Sequence, residues 1–127
     1  MKKQTKIIIG LIIVVVFVLP LGYWVYAVGQ PGKYDDFAQC LEEKGAVFYG
    51  TFWCPYCLNQ KREFGRSADL LPYVECSTPD RQGQTQACID ADITSYPTWE
   101  FANGERMQGV VPFEVLAEKT ECILPLE

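Results

Sequence analysis

Cys54 and Cys57 stand three positions apart in Cys54-Pro55-Tyr56-Cys57, a spacing that lets two thiols join and part. At the start of a helix, positions i and i+3 fall within the roughly 4.4–6.8 Å between Cα atoms that a disulfide needs. Cys54 would sit at the helix N-terminus, where unpaired N–H groups and the macrodipole favour a thiolate, and is the expected nucleophile. Cys57, one turn further in, would be the more buried and would resolve a mixed disulfide by attacking it. Trp53, directly before the pair, would shield one side. Two inert arrangements compete: a permanent disulfide, or half of a zinc site, although zinc would want a second close pair and Cys76 and Cys88 are twelve positions apart. The 127 residues contain six Cys and no His, which excludes Cys/His zinc ligation and a His general base. Leu58 after Cys57 excludes c-type haem attachment. No cofactor or metal is expected, and what remains is chemistry that cysteine does alone.

Tyr96-Pro97-Thr98 is the second motif. A cis bond before Pro97 costs only about 0.5–1 kcal/mol and would turn the backbone of Tyr96 toward the cysteine pair; an ordinary proline at a strand entry is the plainer alternative. Of the other cysteines, Cys76 and Cys88 are expected to form a structural bridge worth roughly 3 kcal/mol in the chain-entropy model, with a second relay pair as the alternative. Cys40 lies on the apolar face of a helix and Cys122 follows the last one. A third bridge between them gives an even count in an exported chain, and free buried thiols are the alternative.

The elements that must position these residues can be read from apolar spacing. Asp35–Lys44 is expected as a helix, with Phe37, Cys40 and Leu41 on one face and Gly45 stopping it. Ala46–Phe52 is a near-continuous apolar run, the pattern of a strand buried on both faces. Pro55 suits a first helical turn, and Tyr56–Phe64 forms a helix ended by Gly65. Pro72–Cys76 reads as a strand and Gln82–Ala91 as a weak helix. Thr98–Ala102 and Arg106–Val110 flank Asn103-Gly104, a hairpin signal, and Phe113–Thr120 closes the chain as an amphipathic helix with Val115 and Leu116 inward. The expected fold class is α/β: a mixed four-stranded sheet flanked by helices, with the cysteine pair at the carboxyl end of the first strand.

Ahead of this domain, Ile7–Val28 is a run of 22 residues without a charge. At about 1.5 Å per residue it spans roughly 33 Å, enough for a hydrocarbon core of about 30 Å. It is expected as a transmembrane signal anchor over residues 7–28, with a cytoplasmic N-terminus at 1–6, a linker at 29–33 and the folded domain at 34–127. Lys2, Lys3 and Lys6 put the N-terminus in the cytoplasm of a single-pass protein of the cytoplasmic membrane, with the C-terminal domain extracytoplasmic. The alternative is a cleaved signal peptide with Val25-Tyr26-Ala27 as its site, although the run exceeds the usual 7–15 residues. Removing those three lysines from the 11 basic residues leaves eight against 16 acidic ones, a net −8. An exported domain this acidic is not expected to bind nucleic acid.

Phe52-Trp53-Cys54-Pro55-Tyr56-Cys57, then Ser95-Tyr96-Pro97-Thr98-Trp99, then the Asn103–Gly109 segment, resemble the thioredoxin superfamily. More narrowly, the stretches around Phe48–Cys57, Leu71–Cys76 and Ile93–Trp99 are similar to the thioredoxin-like domain fused behind bacterial vitamin K epoxide reductase homologues. The resemblance covers about Tyr34–Leu124. It implies Cys54 as the attacking cysteine, Cys57 as the resolving one and Pro97 as a cis-proline facing them, with Pro55, Tyr56, Tyr96 and Thr98 beside them. It implies a protein that passes disulfides between client proteins with cysteine thiols and a quinone-linked membrane partner, here a separate vitamin K epoxide reductase-like or DsbB-like protein. Two departures stand out: Phe48 occupies the place of a buried acid found in reducing thioredoxins, and only Gln30–Tyr34 could supply the first strand of the full fold. The expected activity is thiol–disulfide exchange, in the oxidising direction. The alternatives are a disulfide reductase fed by a transmembrane electron carrier and a non-catalytic binding module.

Overall fold

In a computed structural model the described residues run from Lys2 to Leu126. Met1 and Glu127, the outer ends of the expected cytoplasmic segment and folded domain, lie outside them. The chain divides into two compact units, Met1–Pro31 and Gly32–Glu127.

The first unit is helical: α1 (Lys2–Ile13) passes through a π-helical turn at Val14–Val18 into α2 (Leu19–Val28). Pro20, which has no N–H to donate, stands just after this π-helical turn. This span of 27 residues contains an 18-residue window with a mean hydropathy of 2.7, none of it buried. By length and composition it can cross a membrane, as an anchor or as a signal sequence.

The second unit holds α3 (Asp35–Glu43), β1 (Val47–Gly50), α4 (Pro55–Phe64), a 3-10 segment (Gly65–Leu70), β2 (Tyr73–Glu75), α5 (Gln86–Asp90), β3 (Thr98–Glu100), β4 (Arg106–Gln108) and α6 (Phe113–Thr120). Its sheet is mixed and four-stranded in the order β2-β1-β3-β4. β1 pairs in parallel with β2, Phe48 opposite Tyr73, and antiparallel with β3, Phe48 opposite Trp99. Gln30–Tyr34 forms no strand, so the sheet has no fifth member on that side. Being central, β1 buries both faces, and successive side chains serve two different cores. Phe48 faces the main one, stacked on Trp99 at 4.7 Å among Phe37, Leu41, Phe64 and Leu116. Tyr49 faces a smaller one with Cys76, Cys88 and Ile93.

Several expected elements differ in extent, among them the strand expected over Ala46–Phe52, which is Val47–Gly50, and that over Pro72–Cys76, which is Tyr73–Glu75. The helix expected over Gln82–Ala91 is only Gln86–Asp90, because the preceding residues close a loop: Thr78 Oγ1 accepts from Gly83 N at 2.9 Å, Thr78 N donates to Gly83 O at 3.0 Å, and Ser77 bridges Gln84. The hairpin strands are three residues each, since Phe101 N bonds Glu105 O and Gly104 N bonds Phe101 O, which turns the chain earlier. The helix ended at Gly65 continues as the 3-10 segment once Gly65 takes φ +58°, a conformation glycine adopts without a Cβ clash.

Gln60 ties the main core together from α4. Fully buried, its amide donates to Val111 O at 3.1 Å and accepts from Val111 N at 2.7 Å and from Trp99 Nε1 at 3.2 Å. Bonds join Cys40 to Cys122, 82 positions apart, and Cys76 to Cys88. The first fastens α3 to the segment after α6, where Glu121 turns the chain at φ +59°.

Candidate functional site

The carboxyl end of β1 runs through Thr51-Phe52-Trp53 into Cys54, the N-cap of α4, with Pro55 at its first position. Cys54 and Cys57 are the free cysteines among the described residues, 5% and 1% exposed. Cys54 Sγ donates to the Tyr96 carbonyl at 3.7 Å. The Tyr96–Pro97 peptide is cis. Pro97 is buried, and Thr98 below it is fixed by its hydroxyl donating to Ser95 O at 2.8 Å. Trp53 is 42% exposed, packs edge-on against Tyr96 at 6.4 Å and donates from Nε1 to Ser77 Oγ at 2.8 Å. Tyr56 stands on the rim, 62% exposed. Tyr96 thus meets the Cys54 thiol through its carbonyl and Trp53 through its ring, with Pro97 and Thr98 next in the chain and Tyr56 between the two cysteines, whereas Cys40 is bonded to Cys122 and Cys76 to Cys88.

Burial pushes the Cys57 thiol up to about 12; the hydrogen bond it shares with Cys54 adds to this, and the Thr51 main chain works against it. Gly50 makes room for that sulfur. A Cβ there would lie 2.9 Å from Cys57 Sγ and 3.0 Å from Tyr73 Cε2, so only glycine lets β1, the sulfur and the Tyr73 ring meet. The arrangement puts one sulfur at a helix N-terminus, its residue 5% exposed, and a second, held as the thiol by burial, one turn further in.

No protein-family model matches the chain. It is 42% identical over 87 residues to thiol-disulfide oxidoreductase LTO1 of Arabidopsis thaliana, a match that takes in 65% of this chain. The chain is similar to a protein named for thiol–disulfide exchange. It spans only 23% of that relative's length.

Around the pair lie polar residues to which sequence reasoning assigned no role. Glu75, at the end of β2, accepts from Ser77 N at 2.8 Å, from Phe52 N at 3.3 Å and from the Tyr73 hydroxyl at 2.7 Å. Burial, then that bond to Glu75, pushes the Tyr73 phenol up. Lys61 Nζ sits 3.2 Å from the centre of the Tyr73 ring, and burial there lowers its ammonium's pKa against the pull of Glu75. The only sign in the sequence was an acid directly before Cys76, in a strand otherwise apolar. Two clefts flank Tyr96: one of about 450 Å³ reaches from Trp53 and Thr51 to Arg81 and Gln84, and one of about 540 Å³ lies between Tyr56 and Gly109.

Proposed function

We propose that the chain is a thiol–disulfide oxidoreductase in which Cys54 and Cys57 cycle between dithiol and disulfide, oxidising the thiols of client proteins. The observation that carries this is the pairing of the six cysteines: four are bonded away from the site, and two remain as thiols where a helix N-terminus meets the Tyr96 carbonyl. The likeness to a named oxidoreductase supports the same chemistry.

A client thiolate attacks Cys54 of the Cys54–Cys57 disulfide, forming a client–Cys54 bond and releasing Cys57, which takes up a proton. The client's second thiolate then attacks its own sulfur in that bond, leaving an oxidised client and a reduced pair, so two electrons and two protons pass to this chain. At the mixed-disulfide stage Cys57 competes for the same bond. Attack needs the thiolate, and a thiol held up near 12 by burial supplies little of it, which slows this return enough for a client's second thiol to act but still lets Cys57 clear the adducts that no second thiol resolves. Phe48, stacked on Trp99, places no carboxylate on β1 to take that proton.

In this proposal Lys2–Val28 anchors the chain in the cytoplasmic membrane with the second unit outside, and a separate vitamin K epoxide reductase-like or DsbB-like membrane protein re-forms the disulfide by accepting the two electrons. Cys57→Ser is expected to accumulate client adducts that vanish on reduction in gels, and Cys54→Ser none. Client oxidation at the wild-type rate in Cys54→Ser cells would overturn the assignment. Thiol trapping in intact cells is expected to find the pair mostly oxidised; a mostly reduced pair would mark a reductase.

A further inference from the structure

We propose that Glu75 is a positioning residue of the thiol site, acting through two main-chain N–H groups to hold the Phe52–Cys54 segment in place. The inference rests on the redox reading of Cys54 and Cys57. Phe52 and Trp53 are about two-fifths exposed, at 41% and 42%, and lead from the end of β1 into the nucleophile with little apolar burial to fix them. Besides the Trp53–Tyr96 contact, the Arg81 guanidinium over the Phe52 ring and the Cys54 N to Thr51 O turn bond, what holds them comes from the end of the neighbouring strand. One carboxylate oxygen of Glu75 accepts from Phe52 N and Ser77 N, and Ser77 Oγ in turn accepts from Trp53 Nε1. The other oxygen accepts from the Tyr73 hydroxyl, which orients the carboxylate across the gap between β1 and β2. Phe52 is thereby tied to the end of β2 and Trp53 to Ser77 just beyond it, while the Cys54 thiol itself touches the Tyr96 carbonyl across the site. Charge-assisted bonds to main-chain N–H groups are among the stronger kinds, and their geometry fixes a short segment in a way an exposed aromatic cannot.

Holding the segment fixes the Cys54 sulfur relative to Cys57, and that separation decides how readily the pair closes. The effect should therefore be visible in the exchange equilibrium itself, protein disulfide plus two glutathione thiols against protein dithiol plus glutathione disulfide. The full chain in detergent, as wild type, Glu75→Ala and Glu75→Gln, is equilibrated in glutathione mixtures. The rate at which iodoacetamide alkylates Cys54 is measured in the Cys57→Ser background, and thermal midpoints are recorded alongside.

Glu75→Ala is expected to shift the glutathione equilibrium roughly fivefold and to change the alkylation rate several-fold, the scale of a lost hydrogen bond. Glu75→Gln, which keeps an oxygen acceptor but no charge, is expected to return both to within about twofold of wild type. If Glu75→Ala does not fold, Glu75→Asp carries the same test, since it keeps the charge and withdraws the oxygens by one methylene. A Glu75→Ala chain with a lower thermal midpoint but unchanged equilibrium and alkylation would overturn the proposal in favour of a structural role. Glu75→Gln as impaired as Glu75→Ala would overturn it in favour of the charge alone. A wild-type chain that forms no reversible disulfide with glutathione would overturn the redox reading, and the proposal with it.

Discussion

Two parallel strands lie side by side in this sheet, and each hands the chain to a cysteine at its carboxyl end. β1 leads through three residues to Cys54, whose thiol is free, and β2 leads directly to Cys76, which is bonded to Cys88. The difference lies in the connection that leaves each strand. After β1 the chain turns into a helix of ten residues whose first turn carries the second cysteine, so the two sulfurs share a helix N-terminus and the Cys54 thiol meets the Tyr96 carbonyl. After β2 it makes a polar loop before α5 brings Cys88 back, and both sulfurs end in an apolar cluster with Tyr49 and Ile93, fully buried. Exposure alone does not separate the two pairs, since Cys54 is only 5% exposed; what separates them is that one stands as thiols at a helix N-terminus and the other is bonded inside an apolar cluster. The same end of the sheet supplies both because the connections differ.

The sharpest way to break this contrast is to exchange the roles. Cys54→Ser should lower client thiol oxidation by about a thousandfold or more, the scale of losing a nucleophile, with unfolding unaffected. Replacing Cys76 and Cys88 by Ala should leave exchange at Cys54 near the wild-type rate under conditions where the chain is folded. Its cost falls on stability instead: roughly 3 kcal/mol for closing 12 residues, against about 4.5 kcal/mol for the Cys40–Cys122 bridge closing 82, in the chain-entropy model. Urea unfolding of the two double variants checks the order. A Cys76–Cys88 variant that folds but cannot exchange would place that bond in the redox path.

Gln60 tests the contrast at a smaller scale, because it links α4, which bears the pair, to the segment ahead of α6. Gln60→Leu keeps the volume but strands the N–H groups of Trp99 and Val111 in the core. It should cost about 1–3 kcal/mol in urea unfolding and leave the glutathione equilibrium of the pair within about twofold.

How far the sequence exposes these roles depends on whether a role is local. The cysteine pair, the buried run that becomes β1 and the Asn103-Gly104 turn are legible because spacing and composition within ten residues decide them. Phe113–Thr120 falls on its expected residues for the same reason. Glu75 and Ser77 are not legible, since Phe52 and Trp53, to which they bond, lie on the loop after β1 and become neighbours only through the register that sets Gly50 opposite Glu75. Gln60 likewise reads as a surface residue until Val111, 51 positions away, is folded over it. The loop at Thr78–Gly83 displaces the start of α5 by hydrogen bonds that a helical pattern cannot foresee.

The smallest effect separates the pair from the bridges by pH alone. A bonded cysteine does not titrate, but Cys57 in the reduced chain does, and burial raises its folded value to about 12 from an ordinary value near 8.5. Between those values the folded chain holds the Cys57 proton that the unfolded chain has lost. Stability attributable to this thiol is therefore fully present below about pH 8.5 and is lost as pH rises toward 12, by at most about 1.4 kcal/mol per unit. Tyr73, also raised, declines in the same direction, and Lys61, lowered, adds its own dependence, but both groups remain in a Cys57→Ala chain. Subtracting urea-derived stabilities of reduced Cys57→Ala from those of the reduced wild type, from pH 7 to 10, should thus leave a curve flat to about pH 8.5 and falling beyond it. A flat difference across the range would mean that Cys57 is no more hidden than an ordinary thiol, and burial would then not be what sets the two sulfurs of the pair apart.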